Sequence, residues 1–177
     1  MGNNTFAFYE MAKEKSISFN EIYLQVKPVI PILKANGIPD KIEDRENIQR
    51  LWKIHVETIV FSAIFIESAS NYIGLMVMGK DWFYENIERL SPIQKINIVR
   101  RILGKNEIAR GEGIYGDIFW LIKKRNEIVH HKESPEDDRL NPVKWKSGVD
   151  KARKAIDGVL QISHEPYGRK QLISSFV

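Results

Sequence analysis

The sequence predicts an all-α fold, a bundle of four to five main helices in a single domain over residues 1–177. Three observations carry that expectation. Apolar residues recur at helical spacing along nearly the whole chain. Period-two alternation is absent. Pro, Gly and Asp clusters fall between the periodic segments, where helices are expected to start and stop. A chain of 177 residues, 43% hydrophobic and 28% charged, buries a sizeable core and has ordinary globular composition.

Taken in order, residues 1–44 read as an N-terminal helical extension. It contains a segment over about 19–35 that Pro28 and Pro31 kink or break, and Gly37 with Ile38-Pro39-Asp40 ends it. The core spans about 45–162. A long helix over about 45–78 carries Ile48, Leu51, His55, Thr58 and Ser62 along one line, beside a richer apolar face. Residues 58–78 are long enough to span a membrane. Glu67, Asn71 and four Ser/Thr side chains would be costly in hydrocarbon, so a buried helix is expected instead. "MGKDW" breaks the pattern, with Asp81 placed to cap a short helix. Ser91 before Pro92 starts "PIQKINIVRRIL". A Gly-rich loop over 104–116 leads into the helix of "LIKKRNEIVHHKESPEDD", residues 121–138. A last helix is expected over about 146–162, followed by a C-terminal tail, 163–177.

Composition excludes several chemistries. The chain has no cysteine, hence no disulfide framework and no thiolate site, which fits a reducing cytoplasm. The N-terminus lacks the pattern of a secretory signal. The net charge of +4 tolerates a polyanionic partner without demanding one. "GEGIYG", residues 111–116, spells G-x-G-x-x-G, but a dinucleotide fingerprint needs a preceding strand and here the preceding pattern is helical.

One residue breaks the helical pattern in an informative way. At about 100° per residue, Ile114, Ile118, Leu121, Ile122 and Val129 form one stripe, and Arg125 falls in its middle. A guanidinium facing a core needs a carboxylate or other acceptors, or else lines a cleft or an interface. In the apolar run 58–78, Glu67 is the only charged residue, and Asn71 lies four residues on. The face carrying Glu67 and Asn71 is therefore expected to meet Arg125. Asn126 and His130 share a flank of the Arg125 stripe. The adjacent histidines, His130 and His131, diverge on a helix, so no metal site is expected, and nothing in the sequence calls for a cofactor.

"KKRNEIVHH" resembles the Arg-x4-6-His signature of HEPN domains. Arg125, Asn126 and His130 fit with four intervening residues, and His131 fits with five. "FIESASNYI" resembles the central helix of that family, and "ERLSPIQKINIVRRILG" is similar to the segment that follows it, so the likeness spans roughly residues 45–162. The resemblance implies a metal-independent endoribonuclease of toxin or antiviral-defence type, cytoplasmic, acting on RNA as a homodimer and partnered by an antitoxin or regulatory protein. It implies catalytic roles for Arg125, in phosphate and transition-state binding, and for His130, in acid/base work. Asn126, Glu67, Asn71 and His131 are the supporting residues. The alternative is a non-catalytic HEPN-like module that binds RNA, nucleotide or protein. One departure narrows the likeness. A subgroup paired with nucleotidyltransferase antitoxins has Tyr two positions after the His, where this chain has Lys132, or Glu133 if His131 is the motif residue.

Overall fold

The structure, a computed structural model, describes residues 2–36, 39–111, 113–130 and 141–163. Among them every regular element is helical: α1 (Gly2–Val26), a 3₁₀ turn (Lys27–Val29), α2 (Ile30–Asn36), α3 (Ile42–Met78), α4 (Lys80–Asn86), α5 (Pro92–Ile102), α6 (Gly113–Val129) and α7 (Pro142–Ser163).

The first helix starts at Gly2, well before the expected position 19. The reason is visible once burial is known: Thr5, Ala12, Phe19, Ile22 and Val26 fall at helical spacing and are buried, although several are too small or too polar to stand out in the sequence. Pro28 lies in the 3₁₀ turn and Pro31 in the first turn of α2, so the chain breaks there as expected.

The 37-residue α3 is the axis of the molecule. Glu43 and Asp44 occupy its first turn, where carboxylates suit the positive end of the helix dipole. It passes the length and hydropathy test for a membrane span, and α1, α5, α6 and α7 pack against it. The core lies in two parts along this axis. One holds Ile59, Ile66, Ile118, Leu121, Ala152 and Val159 among others. The second gathers Phe19, Leu51, Ile54, Trp145 and Val149, with Trp52 and Trp145 ring centroids 5.2 Å apart.

α3 ends at Gly79, whose φ of 81° and ψ of 156° belong to glycine-only backbone space. That residue, rather than Asp81, occupies the cap position of α4, and Asp81 sits inside the first turn. The reversal folds α4 back onto α3. Phe83 then covers Gly74 so closely that an added Cβ would lie 2.5 Å from the ring. At α5 the expected cap is present. The Ser91 backbone N–H donates to Gln94 Oε1 at 3.0 Å, and Pro92 opens the helix.

The loop that follows is shorter than expected, because Gly113 and Gly116 belong to α6. Asn97 on α5 holds this loop from both sides: its Nδ2 donates to the Ile108 carbonyl at 3.3 Å, and its Oδ1 accepts the Ile108 N–H at 2.9 Å. α7 begins at 142 instead of 146, since Asn141 Oδ1 accepts the Lys144 N–H at 3.1 Å and Pro142 occupies the first turn. His131, the acidic stretch before α7 and the tail from 164 onward lie outside the described residues.

Candidate functional site

The site grows from a single turn of α3. Glu67 and Asn71 are one turn apart and present their side chains to the same side of the helix. α6 crosses this side with Arg125, and Arg125 Nη2 donates to Glu67 Oε1 in a charge-assisted hydrogen bond. The pair is neither open nor sealed, with side-chain exposures of 21% for Arg125 and 38% for Glu67. On the same face, the hydrogen bond of Asn71 is made to a third helix. Its Oδ1 accepts from Lys95 Nζ of α5 at 2.7 Å.

Lys95 is the site residue that sequence reasoning missed. It is only 6% exposed. Its Nζ lies 5.8 Å from the centroid of the Phe83 ring, which the Gly74 contact holds in place. Burial pushes the ammonium below the ordinary lysine pKa, while the carboxylates of Glu67 and Glu88 act in the opposite direction. The signal was available. Pro92, Lys95, Ile96 and Val99 fall at i, i+3, i+4 and i+7 along α5, so this lysine stands on an apolar stripe just as Arg125 does on α6. Three helices thus contribute one anion and two cations to one corner. The Arg125 Nε–H is buried with no hydrogen-bond acceptor, an unsatisfied donor on the side of the guanidinium turned away from solvent.

Asn126 and His130 are placed differently. Asn126 lines a cleft of about 530 Å³ between the N-terminal turn of α5 and the outer flank of α6. Ser91 and Gln94 form one wall, Tyr115, Phe119 and Ile122 the other, and Arg110 reaches in from the loop. Lys123 and Glu127 stand at the same cleft, and Glu127 also pairs with Lys124 at 3.3 Å. His130 is exposed just past the end of α6, where its N–H still donates to the Asn126 carbonyl at 3.0 Å, so it keeps the helical phase. The structure therefore brings Glu67, Arg125, Asn71 and Lys95 together. Asn126 and His130 lie on the adjoining flank of the same helix. Neither Arg125 nor His130 lines the cleft.

Chemically the corner offers a fixed guanidinium with a buried ammonium behind it, and, on the next flank, an amide in a cleft and an exposed imidazole. No group of three potential metal ligands occurs among the described residues. No protein-family model, no curated protein and no solved structure matches this chain.

Proposed function

We propose that this chain is a metal-independent endoribonuclease of HEPN-like fold, in which α1, α3, α5, α6 and α7 form the main bundle. The observation that carries this reading is Arg125, set on an apolar stripe, held from α3 by Glu67 and still partly exposed. Tethering to a carboxylate reduces the freedom of a long side chain, and a planar guanidinium matches phosphoryl oxygens in two-point fashion. His130 supplies an imidazole, which can accept a proton at one ring nitrogen and donate one from the other, five positions on and just past the end of α6.

In the proposed reaction a base takes the proton from a ribose 2′-OH, and the 2′-oxygen attacks the adjacent phosphorus. The P–O5′ bond breaks, and an acid delivers a proton to the departing 5′-oxygen. The products are a 2′,3′-cyclic phosphate and a 5′-hydroxyl, so a 2′-deoxy linkage is not cleaved. Arg125 stabilises the charge on the non-bridging oxygens, Asn126 orients the phosphate or His130, and Glu67 fixes Arg125. Base and acid act on opposite faces of phosphorus. We assign one role to each His130 of a homodimer whose interface includes α6. Phe119, 58% exposed on the outer flank of α6, and Val129, 50% exposed as the last residue of the helix, fit that interface. Action in a cytoplasm, as a toxin or defence factor with an antitoxin or regulatory partner, belongs to this same proposal.

A second reading, a non-catalytic module that binds RNA, nucleotide or protein, is favoured by one observation: the cleft on α6 is lined by neither Arg125 nor His130. The deciding experiment compares the wild-type protein with Arg125→Ala and His130→Ala on mixed RNA in the presence of EDTA. Cleavage by wild type with cyclic phosphate ends, falling about 10²–10⁴-fold in the variants, supports the ribonuclease. Folded wild-type protein that leaves RNA intact rejects it in favour of the binding module.

A further inference from the structure

The Arg125–Glu67 pair poses a difficulty for any anion-binding role. A guanidinium that already holds a carboxylate is neutralised in part, and a phosphate approaching it also meets the negative charge of Glu67. The structure contains a counterweight. Lys95 enters from α5, is tied to Asn71 one turn from Glu67, and feels the Glu67 carboxylate across that turn. Its other neighbours are Glu88, which is exposed and therefore screened, and the face of Phe83.

We infer that Lys95 is a positioning residue for Arg125. It offsets the charge of Glu67, so that Glu67 orients the guanidinium without cancelling it, and the corner as a whole stays positive toward a phosphate. Lys95 itself touches no substrate: it is buried behind α3 and α5. Glu67 is then a shared anion, divided between a cation it aims and a cation that balances it. The arrangement accounts for an expensive feature, a nearly buried ammonium on an apolar stripe, since a methionine there would pack without the cost of desolvation. It also gives Asn71 a definite task, which is to hold the ammonium at the turn where its charge acts on Glu67.

The activity arm of the test rests on the ribonuclease reading; the coupling arm does not. For the coupling arm, Lys95 is followed by lysine-selective carbon NMR through its titration in wild type, Glu67→Gln and Arg125→Gln. Glu67→Gln should move its midpoint down, because a supporting carboxylate is lost, and Arg125→Gln should move it up, because Glu67 is released to Lys95. A midpoint that ignores both substitutions overturns the inference whether or not RNA is cleaved. For the activity arm, Lys95→Met should lower kcat/KM on RNA by about tenfold or more, the scale of one partly screened unit charge. The double variant Lys95→Met/Glu67→Gln should recover much of that loss, since the charge needing an offset is gone while the amide oxygen still accepts from Arg125. A structural role for Lys95 gives the opposite order, with the double variant worse than the single, and that result refutes the charge-balancing role. Wild-type protein without ribonuclease activity rejects the proposed function and leaves the coupling arm to decide on Lys95.

Discussion

Replacing Glu67 by Ala is the sharpest structural perturbation of the site. The change removes the carboxylate that accepts from Arg125 and strips a favourable charge from the surroundings of Lys95. Two limits bracket the cost. An exposed ion pair contributes at most about 1 kcal/mol, and removing one partner of a fully buried pair costs about 3–5 kcal/mol. Arg125 is 21% exposed and Glu67 38%, so solvent screening discounts the pair toward the lower limit. The stranded guanidinium, whose Nε–H already lacks an acceptor, pulls the value up. The expected loss is therefore about 1–2 kcal/mol, or roughly 2–8 °C in Tm for a chain of this size. Urea unfolding of wild type, Glu67→Ala, Arg125→Met and the double variant closes a double-mutant cycle. The coupling between the two positions should be about 1 kcal/mol, with the double variant less destabilised than the sum of the singles. A Glu67→Ala protein indistinguishable from wild type, or a coupling of zero, would refute the claim that α3 holds Arg125 through this contact.

Three further outcomes follow from the same geometry. Because the folded-state pKa of Lys95 lies below its value of 10.5 in a model peptide, the unfolded chain binds more protons in the window just below 10.5. In that window the lysine's contribution to stability rises with pH, so any stability advantage of Lys95→Met near neutrality should shrink as pH climbs toward 10.5; urea midpoints of the two proteins across that range test the sign. Leu121→Ala, at a fully buried position of α6, should cost about 2–5 kcal/mol in denaturant unfolding and report how tightly α6 sits on α3. Phe119→Asp should change stability by less than about 0.5 kcal/mol, since the ring is 58% exposed, and should convert the proposed dimer to a monomer in sedimentation velocity.

Hydrophobic period and helix punctuation, both local properties, determined in advance that the chain is helical, where α3 and α5 lie and where the chain breaks near Pro28. The meeting of Arg125 and Glu67 was legible for a second reason. A charge on an apolar stripe must find a partner, and the apolar run of the long helix, residues 58–78, holds a single charged side chain. Other features depended on where helices cross. The first half of α1 hides its buried face behind Thr5 and Ala12, which only contact with α3 identifies as core. Helical phase placed Asn71 beside Glu67, but it was the approach of α5, with α4 folded back at Gly79 and Phe83 seated on Gly74, that gave Asn71 to Lys95 rather than to Arg125. Helical phase likewise put Asn126 and His130 on one flank, yet only the position of α5 opposite that flank made a cleft that contains Asn126 and leaves His130 outside it. Periodicity states which side of a helix is turned inward; which side chains meet there is decided by the angles and offsets at which whole helices pack, and those arise from the summed shapes of many residues far apart in the chain.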